Sequence, residues 1–253
     1  DTIMTSTVIS KMDNGIRSII LDRPDRLNAI NPDLLADFLE ALKEGNADPA
    51  TKVMVISGAG RAFCAGDDLK EFDSQVGTEE ETRAYIESIQ VITREIVLND
   101  KMVLGAIHGW AVGGGLEWVI NCDLAVMAKG TRCFFPEISL GVFVTGAVTT
   151  LLPKMVGLQK AKEMILFGER FDAAQALEWG LVWKVVDEEN LMTETLNAAE
   201  RIAELPQEAV RDLKRVINRA CHMDVEGAMA LETDATLRGF LDPATAKRIS
   251  KFE

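Results

Sequence analysis

Three short apolar runs, Val53 to Ile56, Val103 to Ile107 and Leu124 to Ala128, constrain the fold more than any other feature of the chain. None alternates polar with apolar residues, so none reads as a strand with one face in water. Such runs suit strands buried on both faces, as in parallel sheets covered by helices. The segments between them supply the helices. Asn31-Pro32 opens a helix whose apolar positions Leu34, Leu35, Phe38, Leu39 and Leu42 follow a 3.6-residue period. Thr78 with Glu81 has the spacing of a capping box for a long helix reaching about Leu98. Upstream, Thr7 to Met12 and Ile16 to Leu21 flank Asp13-Asn14-Gly15, a hairpin turn. Arg132 to Phe135 reads as a further short strand. Strands alternating with helices imply an α/β domain with mainly parallel pairing.

Beyond Thr145 the chain turns mostly helical. Helices are expected over Leu158 to Phe167, Asp172 to Trp179, Glu188 to Glu204, Gln207 to Ala220 and Val225 to Phe240, with a strand at Leu181 to Val186. This divides the chain into a core over residues 1–187 and a helical region over 188–253.

The net charge of −13 argues against nucleic acid or an anionic membrane as the main partner. An anionic ligand would rest on local basic residues and backbone donors. The four cysteines, Cys64, Cys122, Cys133 and Cys221, form no C-x-x-C pair, and there are two histidines, so no metal site is expected. Reduced thiols in a cytoplasmic protein are the reading they support. No apolar stretch is long enough to span a bilayer, and the N-terminus lacks a signal-peptide pattern.

The run His108-Gly109-Trp110-Ala111-Val112-Gly113-Gly114-Gly115-Leu116-Glu117 places three glycines between an apolar strand and a helix carrying a carboxylate. Glycine permits close backbone approach, and the first amides of a helix are unpaired at its partially positive end. An oxyanion could be held there, although close helix–strand packing explains such a run as well. The G-x-G-x-x-G spacing of a dinucleotide site is absent. Two other segments stand out. Phe63-Cys64-Ala65-Gly66-Asp67-Asp68-Leu69-Lys70 follows a buried strand. Phe135-Pro136-Glu137-Ile138-Ser139-Leu140-Gly141 embeds a carboxylate among apolar residues, where desolvation would raise its pKa and suit it to acid/base work.

Taken together, these segments make the chain resemble the crotonase family, the enoyl-CoA hydratase/isomerase superfamily. The resemblance runs from Leu21-Asp22-Arg23-Pro24 and Asn28-Ala29-Ile30-Asn31 through the three segments and Cys122-Asp123. It continues to Ala174 to Leu177 and Trp179-Gly180-Leu181-Val182. It implies a spiral of ββα turns with a C-terminal helical trimerisation region, in a trimer or dimer of trimers. It also implies an acyl-CoA thioester substrate, with coenzyme A part of that substrate and no separate cofactor.

By position, the amides of Asp67 and Gly114 would form an oxyanion hole for the thioester carbonyl. Glu117 would activate water for the β-carbon of a trans-2-enoyl-CoA, and Glu137 would give a proton to the α-carbon, a lyase reaction yielding a 3-hydroxyacyl-CoA. Isomerases of the family shuttle a proton with a single base. Hydrolases and hydratase-lyases share the scaffold, and a non-catalytic scaffold is the reading from another class. The coenzyme A moiety would lie along Arg26, Leu27 and Ala29 and along Ala65, Gly66, Asp68, Leu69 and Lys70, with Arg26 and Lys70 as candidates for phosphate contacts. Lys247, Arg248, Lys251 and Phe252 form a basic-aromatic end that either adds to this site or frays. Trp110, Trp118 and Phe143 are candidates for the acyl pocket, and His108 reads as a structural residue at a strand end.

Two positions depart from the family pattern. Asp67 stands where alanine is common, which keeps the amide but adds a carboxylate beside the proposed oxyanion. Val144-Thr145-Gly146-Ala147-Val148-Thr149 replaces a Pro-Gly-x-Gly-Gly-Thr segment, so the acyl pocket or the orientation of Glu137 is expected to differ.

Overall fold

The computed structural model describes residues 1–251, the Ser74 side chain apart. Ten strands build two sheets. They are β1 (Thr2–Met4), β2 (Val8–Asp13), β3 (Ile16–Leu21), β4 (Val53–Gly58), β5 (Met102–Ile107), β6 (Trp110–Val112), β7 (Leu124–Ala128), β8 (Arg132–Phe134), β9 (Phe171–Asp172) and β10 (Lys184–Val186). The larger sheet has the order β1-β2-β3-β4-β5-β7-β10, and the smaller one β6-β8-β9. β1, β2 and β3 pair antiparallel, β2 and β3 through the Asn14-Gly15 turn, and β3, β4, β5, β7 and β10 are parallel.

The helices are α1 (Pro32–Ala47), α2 (Phe72–Gln75), α3 (Glu79–Val97), α4 (Gly114–Asn121), α5 (Val148–Val156), α6 (Leu158–Phe167), α7 (Ala173–Glu178), α8 (Leu191–Ala203), α9 (Gln207–Ala220), α10 (Val225–Leu241) and α11 (Pro243–Ile249). The unit β5–β6–α4 places one strand in the large sheet, one in the small sheet, and then a helix. The β4 unit repeats this with a single bridge, Cys64 to Ala111, in place of a second strand. These are turns of a ββα spiral.

The apolar runs are covered on both faces. In β4, Met54 and Ile56 point into the main core with Phe38 and Leu42 of α1 and Ile92 of α3. Val53 and Val55 point the other way, onto Ala198, Ala199 and Ala203 of α8. Strand alternation sends neighbouring residues to opposite faces, and both faces are dry, so no polar residue interrupts the run. The expected caps form: Asn31 accepts from Leu34 N, and Thr78 and Glu81 exchange the two bonds of a capping box.

Three elements came out shorter than the pattern suggested. The strand expected from Leu181 begins at Lys184, and the helix expected from Glu188 begins at Leu191 after one tight turn. Arg132 to Phe135 pairs only as far as Phe134. α8 lies directly on the large sheet, and Lys214 of α9 reaches inside. Its Nζ meets Asp123 Oδ2 at 2.8 Å and donates to the carbonyls of Ile96 and Lys101, both at 2.6 Å. No helix among the described residues is long and apolar enough to cross a membrane.

Candidate active site

The glycine run begins α4 at the junction of the two sheets. Gly113 has φ +51° and ψ −121°, a conformation that L side chains rarely adopt, and its N–H donates to the Phe134 carbonyl. A Cβ on Gly113 would lie 2.7 Å from Glu137 Oε1, and one on Gly115 would lie 2.3 Å from the Cys64 carbonyl oxygen. The run therefore brings the helix start against two other segments at once.

One of those segments is the loop after β4. Cys64 N–H donates to the Trp110 carbonyl and Val112 N–H to the Cys64 carbonyl, which sets residues 64 and 111 side by side in parallel. Asp67 and Gly114 each lie three residues further along. Ile30 pairs with this loop by donating to the Gly66 carbonyl and accepting from Asp68 N–H, which skips the Asp67 amide. Gly114 is the first residue of α4 and has no carbonyl one turn behind it. Neither amide donates to a described residue, so two unpaired N–H groups stand in equivalent positions on adjacent parallel segments.

Glu117 lies one turn into α4 and is 2% exposed. Its oxygens accept from Thr145 N–H and from Thr145 Oγ1–H, each at 2.8 Å. Burial raises its pKa, and the two Thr145 bonds oppose that rise. The Thr145 segment is itself tied down. Gly146 N–H donates to Gln90 Oε1 of α3, Asn121 Nδ2 donates to the Gly146 carbonyl, and Thr93 Oγ1–H donates to Asn121 Oδ1. A Cβ on Gly146 would meet Glu117 Oε2 at 2.8 Å.

Glu137 is 6% exposed and leads into a tight turn at Ile138–Leu140. Its Oε2 is buried without a hydrogen-bond partner among the described residues. Burial, with smaller contributions from the Glu117 and Asp67 charges, pushes its pKa up to about 7. Asp67 also has a raised pKa, from desolvation. Its surface is open, yet protein surrounds it, as befits a side chain in a cleft. The charges of Glu117 and Asp67 both reach Glu137, so the three carboxyl groups share one neighbourhood near the start of α4.

The profile of the enoyl-CoA hydratase/isomerase family matches residues 11–244. The chain belongs to this family. It is 32% identical over 229 residues to the crotonyl-CoA hydratase of Syntrophomonas wolfei, covering 90% of this chain and 87% of that protein. It is 30% identical to the 1,2-epoxyphenylacetyl-CoA isomerase of Escherichia coli, covering 91% of this chain and 89% of the relative. The crystal structure of the enoyl-CoA hydratase from Bacillus anthracis superposes with a TM-score of 0.92 at 28% identity, over 98% of this chain and 96% of that one. These likenesses agree with the ββα spiral found here.

The structure brings most of the sequence-predicted residues to one place. The loops of Leu27 and Ala29 and of Ala65, Gly66 and Leu69 adjoin, because Ala65 N–H donates to the Leu27 carbonyl. Lys70 stays exposed. Arg26 and Asp68, expected along coenzyme A, are engaged within the protein. They bind each other, Nη2 lying 2.6 Å and 2.8 Å from the two carboxylate oxygens, and the Asp68 carboxylate also takes Arg23. Asp68 is buried, and a buried carboxylate is retained only when paired.

Two expected pocket aromatics are likewise committed to packing. Trp118 is fully buried edge-on to Phe38, at 4.9 Å between ring centroids. Trp110 packs edge-on to Phe134, with the Arg170 guanidinium over both rings. Phe143 is 68% exposed. His108 follows β5, its Nε2 2.7 Å from the Gly60 carbonyl oxygen. Lys247 and Arg248 lie on α11, where Arg248 pairs with Asp242, Lys251 is exposed, and Phe252 lies outside the described residues.

Thr145, Gln90 and Asn121 were not among the sequence candidates. In the sequence Thr145 stands out only as part of the divergent Val144 to Thr149 segment. A hydroxyl 28 residues from Glu117 carries no local signal that the two will meet.

Proposed function

We propose that this protein hydrates a trans-2-enoyl-CoA to the 3-hydroxyacyl-CoA. The thioester carbonyl accepts hydrogen bonds from the Asp67 and Gly114 amides. As the oxygen gains enolate charge, these preorganised donors favour the transition state over the ground state. Glu117, whose oxygens accept from Thr145 N–H and Thr145 Oγ1–H, takes the proton of a water that adds to the β-carbon. Glu137 gives its proton to the α-carbon. The observation that carries the reading is the contrast between the carboxyls. Burial raises both pKa values, but Glu117 accepts two hydrogen bonds from Thr145 that oppose the rise, whereas Glu137 Oε2 has no partner among the described residues, so the surroundings favour Glu117 as base and Glu137 as acid.

Coenzyme A lies along the adjoining loops, with Lys70 as the phosphate contact and Arg26 redirected from Asp68 only if that pair opens. Exposed apolar side chains on α9 and α10, among them Leu213, Ile217, Met229 and Leu237, support a homotrimer or dimer of trimers. The test is loss of the conjugated-thioester absorbance of crotonyl-CoA. Wild type is expected to consume it, with Glu117→Ala and Glu137→Ala severely impaired. A wild type no faster than either variant overturns the reading.

One observation favours a second reading, double-bond isomerisation. Both Glu117 oxygens already accept hydrogen bonds, whereas Glu137 Oε2 has no partner among the described residues and is placed to act as a single base. Product mass separates the two, because hydration adds one water and isomerisation adds nothing.

A further inference from the structure

We propose that Asp67 is a specificity-determining residue that selects acyl groups carrying a hydroxyl a few carbons from the thioester. The inference rests on the acyl-CoA reading above and deepens it.

The placement follows from backbone alternation. In the extended stretch bridged to Ile30, Gly66 faces Val112, and Asp68 turns to Arg23 and Arg26. Asp67, between them, turns the other way. There it is open to solvent, close enough for its charge to be felt by Glu117, Glu137 and the Tyr85 phenol. The carboxyl is tethered by its own short side chain to the amide that would hold the thioester oxygen. Whatever acyl group is bound must pass close to it.

A plain alkyl chain fits this wall poorly. It would strip water from Asp67 and offer nothing in exchange, and an uncompensated buried polar group costs free energy. Two polar atoms here have no hydrogen-bond partner among the described residues: Glu137 Oε2, nine-tenths buried, and the Tyr85 hydroxyl. Trp110 and Trp118, which could have supplied an apolar lining, are packed elsewhere. Desolvation raises the pKa of both the Asp67 and the Glu137 carboxyl, and any carboxyl accepts when ionised and donates when protonated. A hydroxyl matches both states because it donates and accepts, whereas an ammonium only donates.

Isothermal titration of the intact protein with 4-hydroxybutyryl-CoA and butyryl-CoA tests this. Both thioesters are saturated, so binding is read without turnover. The hydroxylated thioester is expected to bind about tenfold tighter or more, since a site built to hydrogen-bond a hydroxyl discriminates against the analogue lacking it. Asp67→Ala keeps the amide, and is expected to abolish the preference by weakening the hydroxylated ligand and strengthening the alkyl one. Asp67→Asn, equal in shape, should keep part of the preference and stands in if the alanine variant misfolds. Equal affinities in wild type, or a preference that survives Asp67→Ala, would overturn the proposal. Butyryl-CoA binding with no preference refutes the role of Asp67 alone, whereas failure of both thioesters to bind refutes the acyl-CoA reading with it.

Discussion

Replacing Thr145 by valine removes one hydroxyl and little else. The Oγ1–H that donates to Glu117 Oε2 at 2.8 Å is lost, while the Thr145 N–H to Oε1 stays. The bond is made to a carboxylate with almost no solvent to replace it. A hydrogen bond to a charged group is worth about 1.5–3 kcal/mol, which converts to a roughly ten- to hundredfold loss in kcat/KM if ionised Glu117 is the base. The sign is fixed by the local balance. Burial raises the Glu117 pKa and the Thr145 bonds lower it, so Thr145→Val raises it further. The acid limb of the kcat/KM profile with crotonyl-CoA should therefore move to higher pH, and Thr145→Ser, which keeps the hydroxyl, should restore it. A stably folded Thr145→Val enzyme with unchanged kcat/KM and an unmoved acid limb would refute the claim that Thr145 holds Glu117 ionised.

Two further outcomes follow from buried charge. Folded Glu137 titrates at about 7 against an ordinary 4.5, so the native state keeps a proton that the unfolded chain releases between those values. Stability then falls as pH rises through this window, and above it the ionised carboxyl costs about 3 kcal/mol. Glu137→Gln is expected to raise the urea midpoint above pH 7 and leave it unchanged below pH 4, even as hydration is lost; equal shifts at both ends would contradict this. Lys214→Met strands the Asp123 carboxylate, whose pKa burial already raises, and should cost about 3–5 kcal/mol in urea unfolding near neutral pH. Adding Asp123→Asn should recover part of that loss, and a double variant no more stable than the single one would show that the ion pair is not the reason.

What the sequence determined by itself was whatever depends on neighbours in the chain. Dry-faced strands such as Val53 to Ile56, the caps at Asn31 and Thr78, the Asn14-Gly15 turn and the glycine run that starts α4 are local patterns with local causes. Family resemblance added the expectation that Glu117, Glu137, Asp67 and Gly114 act together. Only the tertiary structure decided how the polar groups pair. Arg26 faced either solvent or a phosphate in the sequence, and the parallel packing of its loop against residues 65–70 gave it to Asp68 instead. Trp118 sits one residue past Glu117, yet the turn of the helix sends it into the core while Glu117 meets Thr145. The two free amides owe their equivalent positions to the bridge between Cys64 and Ala111, which joins residues 47 apart. Burial and hydrogen bonding are properties of the assembled surfaces, so the different surroundings of Glu117 and Glu137 are written in no single segment of the chain.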